Sequence, residues 1–148
     1  MSTERLKIRA LTSIRSSSEL MRSLYKRLHA DPGVDFGLFV SGAHLAPSQG
    51  LTVRQIEADG LPIACRVESL MAADTGSGRI KSGAVALMGF VDGLQREAPD
   101  LIIVTGDRED MLIGAAAGTY LGIPTLHFFG GDHATDGNVD NAARHATS

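Results

Sequence analysis

The last turns of the chain concentrate ionisable side chains behind two glycines. In the stretch HFFGGDHATDGNVDNAARH, residues 127–145, six of them follow the two glycines: Asp132, His133, Asp136, Asp140, Arg144 and His145. Carboxylates and imidazoles move protons near neutral pH when they are positioned next to a substrate. The stretch is therefore interpreted either as an ordinary solvated segment or as one wall of an active site.

Polar residues also follow the predicted strands at their carboxyl ends. Asp107 and Arg108 come after the buried run DLIIVTG, and His44 follows an earlier strand. Ligands of open parallel sheets bind outside the carboxyl ends of the strands, so we expect these residues to share a site with Asp132. Arg15 stands between the first strand and a helix, whose N-terminus attracts anions such as phosphate.

Each of these residues also has a structural interpretation that the sequence leaves open. Asp107 is a candidate N-cap of the next helix, and Arg15 is a candidate solvated arginine. His44, like His127 in the run TLHFF, is a candidate hydrogen-bonded histidine with no role in binding. Cys65 lies in an apolar run and is interpreted as an inert buried thiol.

The elements that must position these residues alternate between strand and helix. Apolar runs and helical spacing predict strands at 6–12, 34–42, 62–70, 100–107 and 123–129, and helices at 16–31, 51–60, 79–97 and 108–122. This alternation predicts an α/β fold with a parallel sheet and helices on both faces. Helical spacing gives the longest helix one apolar stripe, which we expect to face the core: Ile80, Ala84, Leu87, Met88, Val91 and Leu94.

Composition limits the classes of function. The chain has 148 residues, a net charge of −3 and one cysteine, so we expect one domain, no nucleic-acid partner and no internal disulfide. No run approaches the ~20 apolar residues of a membrane span, and the first residues lack a signal-peptide core, so we expect a cytoplasmic protein. Zinc-site spacing, GxGxxG and the P-loop are absent, so we expect no metal and no cofactor.

Four stretches of the chain are similar to patterns of one enzyme family. They are VSGAHLAPSQGLTVRQIEADG, DLIIVTGDREDML, GIPTLHFFGGD and DNAARHATS. They resemble TGxHLxxxxGxTxxxIxxDG, DxVxVxGDRxEML, xIPxxHIHGGE and DExxRHxIT of the UDP-N-acetylglucosamine 2-epimerases, especially the hydrolysing branch of sialic acid and related nonulosonate pathways. The resemblance spans nearly the whole chain.

The resemblance implies a particular architecture. Residues 1–148 would form the N-terminal Rossmann-like lobe, a three-layer parallel-sheet unit, of a glycosyltransferase-B-type fold. The site would lie in a cleft that is closed by a C-terminal lobe or by a homo-oligomer partner. We therefore expect an apolar or polar-rimmed surface near the C-terminal segment, and we expect the 148-residue chain alone to be inactive.

The resemblance also implies a reaction on a UDP-sugar without a redox cofactor. A base removes the proton at C2 of the sugar, UDP leaves from C1, a 2-acetamidoglycal forms, and water then adds to give a ManNAc-type sugar. By motif, Asp107 and Asp132 are implied to be catalytic acids or bases. The implied substrate-binding residues are Arg15, His44, Arg108, Arg144 and His145.

The chain departs from the family pattern in the first turn, where Ser13, Ser17 and Ser18 replace the glycine, glutamate and tyrosine of TGTRAEYG, and at three later positions. Phe129 replaces the second histidine of HIHGGE, Asp132 replaces its glutamate, and Asn141 replaces an acid of the DE pair. Asn141 cannot take up a proton at neutral pH, which leaves Asp136 or Asp140 as candidate substitutes. Two alternatives remain open. One is a non-catalytic sugar-nucleotide-binding module. The other is a receiver-type signalling domain, although LKIRALT lacks the acidic cluster that such a domain needs.

Overall fold

The computed structural model describes residues 4–70, 72–131, 133–135, 137 and 139–148. The strands assigned in these residues are β1 Leu6–Thr12, β2 Val34–Ser41, β3 Ile63–Val67, β4 Leu101–Thr105 and β5 Thr125–Phe128. The helices are α1 Arg15–Ala30, α2 Val53–Ala58, α3 Gly76–Glu97, α4 Glu109–Tyr120 and α5 Val139–Thr147, with 3₁₀ turns at Gly42–Leu45 and Pro47–Gln49. The predicted alternation is confirmed. None of the helices in these described ranges is both long and apolar enough to cross a membrane.

The five strands form one parallel sheet in the order β3-β2-β1-β4-β5. β1 pairs with β2 on one side, where Ala10 faces Leu38, and with β4 on the other, where Ala10 faces Ile103. Strand order therefore reverses between β1 and β4, which is the topological switch point of a Rossmann-like sheet. A ligand crevice is expected at the carboxyl ends of these two strands.

Helices cover both faces of the sheet and bury a separate apolar core on each. α1 and α2 pack on one face, where Tyr25 and Ile56 lie against strand residues such as Leu38. α3 and α4 pack on the other, where Phe90 and Met111 are buried. β4 contributes to both cores, which explains why its run LIIVT is continuously apolar instead of alternating.

The orientation of α3 differs from the prediction. Of the predicted core stripe only Leu94 is buried, whereas Ile80, Ala84 and Met88 are exposed. The inner face is instead occupied by Phe90 and by small residues that allow close packing: Gly78, Ser82, Gly83, Ala86 and Gly93. The predicted stripe is confirmed for Leu94 and for Leu87 and Val91, which pack against the core, and is wrong for Ile80, Ala84 and Met88. Apolar spacing defines a stripe without showing which part of it is covered.

Candidate functional site

A cavity of about 420 Å³ lies at the carboxyl edge of the sheet, where the segments that follow β1, β2, β3 and β4 converge. Its charged lining residues are Asp74, Arg79, Arg108 and Glu109. An adjoining hollow of about 390 Å³ is lined by Arg15 and shares Ile14, Ala43 and Gln49 with the cavity. Two of the predicted substrate-binding residues, Arg15 and Arg108, therefore line neighbouring hollows beside the switch point.

Asp107 and Arg144 form an ion pair at the end of β4. The guanidinium NH2 of Arg144 donates to Oδ2 of Asp107, and both side chains are mostly buried, at 13% and 26% exposure. Gly106, at φ 81°, turns the backbone immediately before Asp107, a conformation that favours glycine. The GDR and RH motifs, which are far apart in the sequence, are thus joined by the contact between Asp107 and Arg144.

His127 supports this turn from β5. Its Nε2 lies 2.7 Å from the carbonyl oxygen of Gly106, and its Nδ1 lies 2.7 Å from the hydroxyl oxygen of Ser148. A carbonyl only accepts, so Nε2 carries the proton and donates, and in the neutral ring Nδ1 accepts from Ser148. The histidine of the HFFGG stretch therefore ties β4, β5 and the chain after α5 together, as its structural interpretation predicted.

A network of ion pairs extends from the cavity to α5. Arg79 of α3 donates to Oε2 of Glu109 at 2.7 Å and to Oδ1 of Asp140 at 2.9 Å. Arg108 approaches the other oxygen of Glu109 at 3.3 Å. Burial opposes ionisation of Glu109, but the Arg79 hydrogen bond and the two arginine charges outweigh it, and its pKa is lowered. The pKa of Arg79 is raised by the same contacts.

Arg108 and Arg15 differ in how they are held. The Nε of Arg108 is buried and has no hydrogen-bond partner among the described residues. That N–H is a donor that a bound anion could satisfy. Arg15 is 67% exposed and has a 3.5 Å contact with Glu19 one turn along α1. Such an exposed pair is weak, so Arg15 can swing towards a ligand.

His44 is placed differently from an ordinary ligand-contacting loop residue. It is fully buried, its Nε2 lies 2.9 Å from the hydroxyl of Thr12, and its Nδ1 lies 2.8 Å from the hydroxyl of Thr52. Burial lowers the pKa of His44 to about 4, so the ring is neutral at pH 7. A direct substrate contact would have to replace one of these hydroxyls, and the substrate-binding role stays a prediction.

A buried carboxyl group that the sequence analysis did not select lies beneath the same edge. Asp110, in the first turn of α4, is 6% exposed, and the Ser41 hydroxyl approaches its Oδ2 at 3.4 Å. Burial, followed by the charge of Glu109, raises the pKa of Asp110 to about 6. Gly42 adopts a positive φ of 55° here, and a Cβ on it would lie 3.0 Å from Asp110. The acid after GDRE, at the start of a helix, was the available sequence signal.

The remaining predicted site residues lie around α5 or beyond the described part. His145 is exposed, and its ring stacks on His133 with centroids 5.8 Å apart. Asp132, one of the two predicted catalytic residues, and Asp136 lie outside the described residues. Asp140, the other candidate substitute acid, is engaged by Arg79.

Two departures from the family pattern have structural consequences. Asn141 accepts from the backbone N–H of Ala134 at 3.0 Å and also donates to the carbonyl of Ala134, so its amide closes the loop before α5. Arg144 donates to the same amide oxygen at 3.2 Å. Phe129 has a left-handed φ of 61°, which is uncommon for a bulky side chain, and is 46% exposed.

Exposed apolar side chains lie near the C-terminal segment. Leu126, Phe129 and Val139 are 45%, 46% and 63% exposed. Within the described ranges, no three His, Cys, Asp or Glu side chains are grouped closely enough to hold a metal ion. The charged groups that line the cavity at this edge are carboxylates and guanidinium groups.

The sequence and the fold agree with a known family. A sequence model of UDP-N-acetylglucosamine 2-epimerase matches residues 26–148. The chain belongs to this family. It is 37% identical over 142 residues to a hydrolysing UDP-N,N'-diacetylbacillosamine 2-epimerase of Legionella pneumophila, covering 96% of this chain and 37% of that one. It is 32% identical to the hydrolysing GDP/UDP-N,N'-diacetylbacillosamine 2-epimerase of Campylobacter jejuni, covering 96% and 36%.

Solved structures show the same fold at low sequence identity. The Neisseria meningitidis UDP-GlcNAc 2-epimerase bound to UDP-GlcNAc has a TM-score of 0.79 at 15% identity, covering 96% of this chain and 38% of that one. The Methanocaldococcus jannaschii enzyme, in complex with UDP-GlcNAc and UDP, has a TM-score of 0.80 at 19% identity, with the same coverage. The chain has the fold of one lobe of these glycosyltransferase-B-type proteins and spans little more than a third of the length of its relatives.

Proposed function

We propose that this chain is the N-terminal lobe of a hydrolysing 2-epimerase that acts on a UDP-2-acetamido sugar, and that a second lobe outside these residues completes the site. The contact between Asp107 and Arg144 carries the proposal. It joins two motif residues 37 positions apart, at the edge where ligands of parallel sheets bind. The names of the two relatives above 30% identity support an acetamido sugar attached to a nucleoside diphosphate.

In the proposed reaction, a carboxylate takes the C2 proton while the bond between C1 and the UDP oxygen breaks. The products of this step are UDP and a 2-acetamidoglycal. Water then adds its hydroxyl at C1, and a proton returns to C2 on the opposite face, giving a ManNAc-type sugar. The C2 proton is weakly acidic, so positioned carboxylates are required. We assign one face to Asp107 and the other to Asp132.

The arginines of the edge would bind the diphosphate. Arg108 has a buried Nε–H without a partner among the described residues and lines the 420 Å³ cavity. Guanidinium groups bind phosphate oxygens through charge-assisted hydrogen bonds. Arg144 would hold Asp107 in position and reach the substrate from the same contact. Arg15 and His145, both exposed, are proposed as further substrate contacts on the cleft side.

We also propose a cytoplasmic role in supplying a sugar for nonulosonate or sialic acid synthesis. The similarity to a polysialic acid biosynthesis protein of Escherichia coli, at 29% identity, supports that direction. The unpaired Cys65 of the present chain fits a reducing compartment. The proposed partners are the UDP-sugar and the second lobe or a second copy, without nucleic acid or membrane.

One observation favours a second candidate function, a binding module without catalysis. Asn141 replaces a family acid and uses its amide to close the loop at Ala134. An amide in that contact cannot exchange protons with a sugar. The remaining carboxylates would then bind and orient a sugar nucleotide that the protein does not convert.

The deciding experiment measures UDP release by the full-length protein in D₂O. UDP-GlcNAc and UDP-N,N'-diacetylbacillosamine are tested separately, and the released sugar is examined by NMR. We expect UDP release and one solvent deuteron at C2 of the released sugar, because the returning proton comes from a solvent-exchangeable group. Saturable binding of either substrate without UDP release would support the binding module instead. The 148-residue chain alone serves as the control and should release no UDP above the protein-free rate, because one wall of the cleft is absent.

A further inference from the structure

A set of buried polar residues meets beside the 420 Å³ cavity. Asp110 is 6% exposed, and the hydroxyl groups of Ser13 and Ser41 donate to its carboxyl group. Ser69 is joined to them through Gly42, whose backbone N–H donates to the Ser69 hydroxyl oxygen at 3.2 Å. Each of the three serines is at most 6% exposed. We call these five residues the Asp110 cluster.

The Asp110 cluster collects residues from four segments that are distant in sequence. They lie at or just after the carboxyl ends of β1, β2 and β3 and in the first turn of α4: Ser13, Ser41 with Gly42, Ser69, and Asp110. The parallel strand pairing ends at Thr12 of β1 and at Val67 of β3. Beyond these residues the cluster adds hydrogen bonds that connect the strand ends to each other and to α4.

Each of these segments also contributes to the cavity wall. Ile14, Ala43, Leu70 and Glu109 line the cavity, and each of them is the direct chain neighbour of a cluster residue. Ile14 and Ala43 line the hollow of Arg15 as well. Two adjacent residues share a rigid peptide unit, so a displacement within the cluster moves the wall of the cavity with it.

Gly42 shows how closely the cluster is packed. Its φ of 55° favours glycine, and a Cβ on it would lie 3.0 Å from Oδ2 of Asp110 and 3.3 Å from Cβ of Ser13. The carboxyl group therefore fills the space between the segment after β1 and the segment after β2. A shorter side chain at position 110 would leave this space empty and the serine hydroxyl groups without their acceptor.

We infer that Asp110 is a positioning residue for the ligand-binding side of the cavity. Its carboxyl group holds the segments after β1 and β2 against α4, and it thereby sets the places of Arg15 and Arg108. The inference rests on the proposed function, in which these two arginines bind the diphosphate. Asp107 has a separate support, because Arg144 and the turn held by His127 secure it from the β5–α5 side. Loss of the Asp110 carboxyl group should therefore weaken ligand binding and leave proton transfer largely intact.

The first test separates binding from turnover in the full-length protein. It measures kcat and KM for UDP release from UDP-GlcNAc and from UDP-N,N'-diacetylbacillosamine, and the Kd for UDP by titration calorimetry. Asp110→Ala should raise KM and the Kd for UDP by about tenfold or more, while kcat stays within about threefold. Asp110→Asn keeps a side-chain oxygen that accepts from the serine hydroxyl groups. It should keep KM and Kd within about threefold of the wild type.

The matched control is a variant that loses stability without touching the cavity. Leu94 is 1% exposed and lies in the last turn of α3, away from the carboxyl edge. Leu94→Ala should lower the melting temperature, because it leaves a cavity in the core. At a temperature where melting curves show every variant to be folded, its KM and Kd for UDP should equal those of the wild type.

Ser41→Ala is the second variant, and it keeps the inference testable if Asp110→Ala does not fold. It removes one donor to the carboxyl group and should raise the Kd for UDP by about threefold. In the double variant with Asp110→Ala it should add nothing further, because the contact is already lost. Independent, multiplying effects of the two substitutions would count against the cluster.

Four results would overturn the inference. They are an unchanged Kd for UDP in both Asp110→Ala and Ser41→Ala, an Asp110→Asn protein that binds as weakly as Asp110→Ala, a loss confined to kcat, and a wild-type protein that does not bind UDP. A wild-type protein that binds UDP but releases none from either sugar contradicts the proposed reaction instead. In that case the Kd for UDP of the same variants still decides whether Asp110 positions the binding site.

Discussion

His44 and Asp110 lie beneath the β1–β2 side of the carboxyl edge, whereas Asp107, Glu109 and Arg144 lie on the β4–α5 side. The first two are 0% and 6% exposed and make hydrogen bonds to hydroxyl groups. The others have side chains that are 13% to 26% exposed and make contacts between opposite charges. Burial moves the pKa of His44 down to about 4 and that of Asp110 up to about 6, in both cases towards the neutral form.

This difference separates residues that shape the edge from residues that can act on a ligand. A buried group with hydroxyl partners fixes the loops around it and has little to gain from a diphosphate. An ion pair at the cavity edge can exchange one partner for a phosphate or a sugar proton, because the incoming group replaces the contact that is lost. We therefore expect substitutions on the β1–β2 side to change stability and those at Asp107 to change turnover.

The largest effect is expected at Asp107. Asp107→Asn in the full-length protein should lower the rate of UDP release by about 10²–10⁴-fold, the usual contribution of a general acid or base. Asparagine keeps the size of the side chain, and its amide oxygen can still accept the hydrogen bond from Arg144. The midpoint of thermal unfolding should therefore change little. Steady-state turnover and a melting curve on the same preparation test both parts.

Asp107→Ala separates the catalytic role from a structural role. The capping interpretation of Asp107 is wrong, because Arg108 is the N-cap of α4 and no side chain of the described residues caps that helix. If Asp107 only holds Arg144, asparagine should retain full activity and alanine should lower the melting temperature. An active Asp107→Asn protein would remove the acid–base assignment. It would also contradict the functional difference between the two sides of the edge, because the β4–α5 side would then be structural too.

Sequence reasoning located the strands and helices well because the elements have different periods. The continuous run LIIVT and the turn signals around it placed β4 to within a residue or two. The predicted stripe of α3 was wrong in part, since Ile80 and Met88 point to solvent although Leu94 is buried in the core. The inner face was marked by Gly93, where a Cβ would lie 2.8 Å from the ring of Phe39. Such a close approach is visible only when the sheet beneath the helix is known.

The site was predicted less completely than the fold. Motif spacing selected Asp107 and Arg144, but the chain alone could not show that they touch. Their contact depends on how α5 folds back after β5. The burial of His44 depends on two threonines from separate segments, so a loop histidine and a core histidine look the same in sequence. Contacts between distant segments are the information that local patterns lack.

The next largest effect is expected for the pH dependence of stability in a His44 variant. The pKa of His44 in the folded state, about 4, lies below the ordinary value of 6.5. Above pH 6.5 the ring is neutral in both the folded and the unfolded chain, and its contribution to the free energy of unfolding is then fully present. This contribution is lost as pH falls through 6.5 towards 4, and it amounts to about 3 kcal/mol. In His44→Gln, urea unfolding at pH 7.5 and 4.5 should therefore show a smaller acid-induced loss than in the wild type. The exposed His29→Gln variant is the control and should keep the wild-type profile.

Asp110 should show the opposite pH dependence. Its folded pKa, about 6, lies above the ordinary value of 3.8, so the native state holds a proton that the unfolded chain releases between these values. Stability is therefore lost as pH rises from about 4 through 6, by about 2–3 kcal/mol. The free energy of unfolding of Asp110→Asn, relative to that of the wild type, should therefore increase by that amount between pH 4 and pH 7.5. Asp74→Asn, an exposed acid at the same edge, should gain nothing. An equal gain at both pH values would mean that Asp110 is ionised throughout.

The smallest effect is expected for Arg79. It tests whether the ion pairs on the β4–α5 side of the edge contribute as little to stability as surface ion pairs do. Arg79→Met keeps most of the aliphatic stem and removes the contacts to Glu109 and Asp140, whose side chains are 13% and 29% exposed. Glu109 keeps its contact with Arg108, so we expect a loss of only about 1 kcal/mol at low salt. The loss should shrink in 0.5 M salt, because exposed pairs are screened over a few ångströms.

Arg66→Met is the control: it removes the exposed pair with Glu57, at 47% and 48% exposure, and should cost less than about 0.5 kcal/mol. Urea unfolding of both variants at two salt concentrations makes the comparison. A salt-independent loss of several kcal/mol at Arg79 would show that this side of the edge is held like a buried core and not by exchangeable charges.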